Sequence, residues 1–323
     1  MNKKKTYTIA LAILVSFIAA AGTGCTGNFI SISEKQSAGR ASAHILLYSD
    51  IGYANEGEYE VTEAIAARHT EYPFSFAISA GDNIQLKPGI SGPRSMIWGN
   101  DVMKETFELP FDTLIRDGMR FYAAMGNHDH QGLRKKIELK YSKKTDAQKR
   151  GAGGFVLPAP DYVIRRNGIK IVFLDVATAF SSLNWSEQRA SFVRRALQTQ
   201  QEKWQILVFH YPLWSSGEHG RDKALSDLRE VMLPVLKDCP VDFVITGHDH
   251  HAELFYYQGR VKTRIAIAGN TAKPHDLPYE PEIPCVFRTN SRGFAEIDIQ
   301  DNRAVLTFRS TDGTVMFSDN VQK

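Results

Sequence analysis

"VDFVITGHDHH", residues 241–251, passes from apolar to polar within a few positions. The run from Val241 to Thr246 has the length and β-branched content of a buried strand. It stops at Gly247, and His248, Asp249, His250 and His251 follow at once. Glycine lets a backbone turn sharply at a strand end. In α/β folds, ligands sit beyond the carboxyl ends of strands. So much imidazole past one strand marks this turn as a candidate site.

Four other stretches repeat the arrangement: "SDIGY" (49–53), "AGDN" (80–83), "MGNHDH" (125–130) and "VFHYP" (208–212). Each sets Asp, Asn or His directly after an apolar run. A helix cap or an Asx turn accounts for one such cluster, but hardly for five. Imidazole, carboxylate and amide oxygen together suit Zn, Fe or Mn. Two ions a few Å apart clamp both oxygens of an in-line phosphoryl displacement, and a shared carboxylate suits such a pair. A water shared by two cations loses its proton near neutral pH and becomes a nucleophile.

Around these clusters, short apolar strands alternate with amphipathic helices. Strands are expected in 44–50, 74–82, 120–129, 204–210 and 241–250, with a hairpin over 162–175 turning at Asn167-Gly168. Residues 56–69 and 186–201 have helical spacing, and Ser186 is the N-cap candidate of the second. The chain ends in hairpins, with turns at Asp301-Asn302 and Asp312-Gly313. The pattern predicts an α/β fold, a four-layer α/β/β/α sandwich of two mixed sheets with helices outside. Residues 131–154 are polar, basic and end in glycines, and read as a charged surface excursion.

The chain has 323 residues and a net charge of +3. Lys3, Lys4 and Lys5 precede the apolar run "IALAILVSFIAAA" (9–21), and "GTGC" closes it. That is the pattern of an export signal over residues 1–24. The run falls short of the ~20 apolar residues that a retained membrane span needs. Cys25 resembles a bacterial lipoprotein acceptor, although Gly22 stands where an aliphatic residue is usual. Lipidation at Cys25 and plain cleavage near Ala19 to Ala21 both stay open, and either gives an exported protein, periplasmic or lipid-anchored to the cell envelope. Removing residues 1–24 brings the net charge to about zero, so nucleic acid is not an expected partner. The expected organisation is this signal, a linker over 25–42 and one domain over 43–323. Cys239 and Cys285 are expected as free thiols, although export would permit a disulfide.

Taken in order, D-x-G, G-D-N, G-N-H-D, a histidine after a strand and G-H-x-H resemble the calcineurin-like metallophosphoesterase superfamily. "GNHDH", "FHYPLWSSGEHG" and "GHDH" are similar to the tartrate-resistant, purple-type acid phosphatases. The resemblance runs from about Ile45 to the C-terminus. It implies a phosphate monoesterase with two metal ions (Fe, Zn or Mn) and a bridging hydroxide. Asp50 and His250 would hold the first metal, Asp82 would bridge, and Asn127, His210 and His248 would hold the second. His128 would contact the phosphate and protonate the leaving oxygen, and His219 would stand on the substrate side. Asn83, Asp129, His130 and His251 would orient these groups. Tyr211 and Trp214 read as packing residues, and His44, His69 and His275 receive no role.

The pattern departs from the family at the first metal. Purple acid phosphatases carry a tyrosine ligand three positions after the bridging aspartate, where this chain has Gln85. The wider superfamily uses a histidine two residues after the first aspartate, where this chain has Gly52. Gln85 through its amide oxygen, a water, Tyr53 or His251 are the candidates to complete the site. A phosphodiesterase or nucleotidase on the same ligands is one alternative function. A degenerate phosphate-binding surface protein is the other.

Overall fold

In the run Ile171-Val172-Phe173-Leu174, alternate side chains enter two different cores. Ile171 and Phe173 join one apolar cluster, and Val172 and Leu174 join another. Ile206 and Leu207, and Ile245 and Val244, divide in the same way. Period-two burial on both faces is what a strand shows when a second sheet covers one face and helices cover the other.

The computed structural model describes residues 30–34, 41–85, 100–148, 154–198 and 201–323. Its strands are β1 (Ile30–Ser33), β2 (Ser42–Tyr48), β3 (Phe76–Ser79), β4 (Arg120–Ala123), β5 (Gly154–Val156), β6 (Tyr162–Arg166), β7 (Ile169–Phe173), β8 (Trp204–Val208), β9 (Phe243–Thr246), β10 (Ala252–Gln258), β11 (Lys262–Ala268), β12 (Cys285–Thr289), β13 (Gly293–Gln300), β14 (Arg303–Ser310) and β15 (Val315–Gln322). One sheet runs β1-β6-β7-β8-β9-β11-β10-β12 and the other β15-β14-β13-β2-β3-β4-β5. Both are mixed, and their facing sides share one core that includes Ile45, Ile78, Ile164 and Ile206.

The helices are α1 (Glu56–Glu71), α2 (Asn100–Met103, continued by a π turn over Lys104–Glu108), α3 (Asp112–Arg116), α4 (Arg134–Gln148), α5 (Glu187–Gln198) and α6 (Lys223–Asp238). Phe192 and Val193 of α5 and Leu225 and Leu228 of α6 cover the outer face of the first sheet. Ser186 caps α5, its hydroxyl accepting from the Arg189 backbone N–H at 3.3 Å. Asn167 and Gly168 both take positive φ (51° and 70°) in the β6–β7 hairpin, as a two-residue turn of this type requires.

Strands β2, β3 and β4 are parallel neighbours, as are β7, β8 and β9. Their C-terminal ends therefore open together, and the loops that leave them carry the polar clusters.

Two stretches differ from expectation. Within the expected linker, Ile30–Ser33 form β1, which pairs in parallel with β6 at the sheet edge. The supposed excursion over 131–154 is largely α4, a 15-residue helix. Its inward face carries the buried residues Glu138, Tyr141 and Ser142, and only its outward face is lysine-rich. A charged residue on the inward face hides such a helix from hydropathy. Cys239 and Cys285 are free. Among the described residues no helix is long and apolar enough to cross a membrane. The expected signal and Cys25 lie outside the described residues.

Candidate metal centre

Asp50, Asp82, His248 and His250 all take positive φ, at 56°, 55°, 74° and 41°. Such backbone costs non-glycine residues about 1–3 kcal/mol each and persists where the surroundings over-determine it. Here close packing does so. A Cβ at Gly126 would overlap the Asp82 carboxylate, and one at Gly247 would overlap Ser49 and Asp50. Both glycines are therefore fixed by how closely one loop approaches another.

Donor atoms of Asp50, Asp82 and His210 lie within 4.8 Å of one another, and all three residues are buried. His210 Nε2 stands 3.4 Å from Asp82 Oδ1 and 4.0 Å from Asp50 Oδ1, and His250 Nε2 stands 3.5 Å from Asp50 Oδ1. Asn127 Oδ1 lies 3.1 Å from both His210 Nε2 and His248 Nδ1. All six expected ligands are thus drawn together at the strand ends.

The outer nitrogens of two rings are tied to backbone. His210 Nδ1 bonds the Ala80 carbonyl at 2.9 Å, and His250 Nδ1 bonds the Lys273 carbonyl at 2.9 Å. Each bond leaves the other nitrogen turned towards the carboxylates, the tautomer arrangement usual for metal-ligating histidines. Asp50 Oδ1 and both amide atoms of Gln85 are buried with no hydrogen-bond partner among the described residues. Unpartnered buried polar atoms call for a reason, and an ion is one. The donor set and these orphaned atoms fit metal ions.

Burial pushes Asp50 up to about 7, against His210 and with Asp82. Burial works against the Asp82 carboxylate too, but His210, His128 and His248 outweigh it and hold it low. Burial would also lower His210, yet the two carboxylates carry it up to about 9. The cavity is a set of acids and bases that neutralise one another incompletely.

Asp129 accepts from the backbone N–H groups of Gly126 (2.8 Å), Asn83 (2.9 Å) and Ile84 (3.1 Å). The Asn83 amide donates to the Ala124 carbonyl, to Asp129 and to Glu138. This network fastens the loop after β3 to the loop after β4. Asp249 does the same elsewhere, accepting from the Ser215 hydroxyl and from the His219 backbone N–H at 3.2 Å. His130 Nε2 bonds Asp175 at 2.7 Å.

Two rings line the open edge. His128 donates its backbone N–H to Asp82 Oδ1 at 2.9 Å, while its side chain is 33 % exposed. His219 is 37 % exposed, lies 4.4 Å from the His248 ring between centroids, and bonds Asp222 through Nδ1 at 2.9 Å.

At the first position, Gln85 is buried and its backbone N–H donates to the Gly52 carbonyl at 2.8 Å. The Tyr53 ring stands edge-on to His250 with centroids 5.9 Å apart. His251, a candidate to complete this position, is spoken for: its ring bonds Glu253 at 2.9 Å and the Asp249 carbonyl, leaving neither nitrogen free.

Tyr211 packs its ring on His248, and Trp214 packs on Phe255 and Tyr257. His44 and His69 lie apart, bonded to Glu296 and to the Phe74 backbone. His275 is different. It stacks on His250 at 4.2 Å with planes 8° apart, from a loop whose sequence gave no sign of approaching the cavity. Glu138 and Asp222 were also missed. Asp222 sits three residues after His219, a spacing that could have flagged it.

The family model of calcineurin-like phosphoesterases matches residues 43–252. Tartrate-resistant acid phosphatase type 5 of Oryctolagus cuniculus is 25% identical over 275 residues, covering 77% of this chain and 79% of the relative. Among solved structures, GAP50, the anchor in the inner membrane complex of Plasmodium, superposes with a TM-score of 0.69 at 18% identity, over 88% of this chain and 89% of that one. The purple acid phosphatase PPD1 of Lupinus luteus gives 0.62 at 17%, over 88% and 54%. The structural likenesses speak for the fold alone. The family match spans more than half of the chain and takes in every strand end that carries the cavity, and so this chain belongs to the calcineurin-like phosphoesterase family.

Proposed function

We propose that the chain is an exported phosphatase that hydrolyses phosphate monoesters at a pair of metal ions. The observation that carries this is the convergence of Asp50, Asp82, His210 and their histidine neighbours around buried polar atoms that no described residue satisfies. Asp50, His250 and the Gln85 amide oxygen would hold one ion, and Asn127, His210 and His248 the other. Asp82 would be shared, being near His210 on one side and tied to the His128 backbone on the other. Bound divalent ions of the Fe, Zn or Mn class supply charge neutralisation at the phosphoryl oxygens and acidify the attacking water.

The chain's own groups do the rest. His128 borders the cavity and is open enough to meet a phosphoryl oxygen. His219 is held through Nδ1 by Asp222, which leaves Nε2 to face the substrate, and His128 would hand the leaving oxygen its proton. The partly exposed rings of His128 and His219 border the mouth through which a small ester would enter. Residues 1–24 would direct export, with Cys25 as the acceptor of a lipid.

The test pairs elemental analysis of metal-depleted and reconstituted protein with turnover of an aryl phosphate and an aryl phosphodiester. Two metal equivalents and a preference for the monoester support the proposal. A preference for the diester would replace it with phosphodiesterase activity. Metal-free protein without turnover would leave only phosphate binding.

A further inference from the structure

Phe180, in the loop that leaves β7, is 92 % exposed, and Leu133, just ahead of α4, is 47 % exposed. Single exposed apolar residues are ordinary. These two belong to one corner. Asp175, two residues past β7, bonds His130 at 2.7 Å and Lys135 at 3.2 Å. The segment that carries Leu133 is thereby fastened to the base of the Phe180 loop. That loop has a set shape: the Thr178 hydroxyl accepts from the backbone of Phe180 and Ser182, and Ser181 takes φ 53°. The turn holds a large aromatic ring out in solvent.

Helix α4 runs on from the same corner. Lys136, Lys140 and Lys143 are exposed at spacings of four and three, so they share one face. Among the described residues none of the three has an ion-pair partner. Glu138 does not offset them, because it is turned inward onto Asn83. The face is a run of free positive charge beside two exposed apolar side chains.

The chain also enters the domain here. Ile30 of β1 pairs with Tyr162, and the neighbouring Asp161 accepts the Asp175 backbone N–H at 2.9 Å. Ile30, the first described residue, therefore lies at the same end of the sheet as Asp175. In sequence the segment before Ile30 holds the apolar run Ile9 to Ala21.

We propose that this corner is the face the protein lays against an anionic lipid bilayer. Phe180 and Leu133 enter the interfacial zone, and Lys136, Lys140 and Lys143 lie over lipid phosphates. An aromatic and aliphatic pair flanked by lysines suits the headgroup boundary, where apolar side chains sink and lysines extend to charge. Each lysine near an anionic surface contributes roughly fivefold in affinity, so three give about 100-fold. The effect fades with salt, because screening at 0.1 M sets in over about 10 Å. This inference does not depend on the phosphatase reading.

The test uses the full chain on vesicles of phosphatidylcholine alone and of phosphatidylcholine with phosphatidylglycerol. The N-terminal segment is common to every sample, so its own attachment cancels. Amide hydrogen exchange in residues 131–143 and 177–182 slows only on the anionic vesicles. The triple variant K136Q/K140Q/K143Q loses about 100-fold in affinity for them and keeps its rate on a soluble aryl phosphate. The pair F180S/L133S loses exchange protection at both segments. Equal exchange on the two vesicle types, or unchanged affinity in the triple variant, overturns the proposal and leaves attachment to the N-terminus alone.

Discussion

Replacing Gln85 by methionine keeps the length of the side chain and removes a buried amide. Gln85 is 2 % exposed, and neither Oε1 nor Nε2 has a hydrogen bond among the described residues. A buried polar group left unsatisfied costs about 1–3 kcal/mol. In metal-free protein that cost stands in full, so Gln85→Met should raise the unfolding free energy by roughly that amount. If Gln85 holds the first ion as proposed, its amide oxygen finds its partner there in loaded protein. The same substitution should then weaken that ion by a comparable amount, about 5- to 150-fold in affinity. The two effects have opposite signs, which separates ligation from packing. The assay is urea unfolding of metal-depleted wild type and variant, with chelator competition for each metal equivalent. Gln85→Tyr alongside adds a spectroscopic readout, since a phenolate on ferric iron absorbs in the visible and an amide does not. A metal-free Gln85→Met that is less stable than wild type, with both equivalents bound as before, would refute the ligand role. An intense visible band in iron-loaded wild type would move the first-site donor to Tyr53.

Asp82→Ala should lose both metal equivalents where His250→Ala loses one, as counted by elemental analysis; a full complement in Asp82→Ala would contradict the shared position. His128→Ala should keep its metals and lose ~10²–10⁴-fold in turnover of a poor leaving group, and a near-normal rate would remove it from the reaction. Glu296 is buried, which opposes its charge, but His44, Arg68 and Arg309 outweigh that and hold it near about 2. Because its folded pKa is depressed, its contribution is complete above the ordinary glutamate value and is lost as pH falls towards 2; Glu296→Gln should cost about 2 kcal/mol at pH 7, after allowance for screening, and remove that acid dependence in urea melts. Cys25→Ser should release the protein from the membrane fraction if Cys25 is lipidated, and equal fractionation of the two proteins would favour plain cleavage.

The strand ends were legible because each carries its signal within a few residues. "VITGHDH" and "GDN" state both the strand and the turn, and burial on both faces makes the apolar runs continuous. The two-sheet architecture follows from such runs alternating with helices. What stayed hidden depends on contacts distant in sequence. Helix α4 puts Glu138 inward against Asn83, and a carboxylate on the buried face cannot be told from a solvated one by composition. Strand β1 is four residues of "ISIS", too short for its alternation to stand out from a linker. His275 reaches His250 from a loop with no strand or helix of its own. His251 lies next to a motif histidine yet points elsewhere, because Glu253 two residues on takes its ring.

The carboxylates of this cavity divide by what they face, and that division explains how strained backbone survives here. Asp50 and Asp82 turn oxygens towards histidine side chains, and each also accepts one backbone N–H, from His248 and His128. Asp129 and Asp249 turn theirs towards the loops: Asp129 holds the turns after β3 and β4, and Asp249 holds the segment before α6 against the turn after β9. The Thr271 hydroxyl donates to the Ser49 carbonyl, and His210 bonds the Ala80 carbonyl, so the strand ends of the two sheets are also tied to each other. Positive φ at Asp50, Asp82, His248 and His250 would relax if those loops were free to move. Most of these ties are made by groups outside the donor set, and His210 makes its own through Nδ1, the nitrogen turned away from the carboxylates. These hydrogen bonds therefore hold the loops that carry the donors against one another.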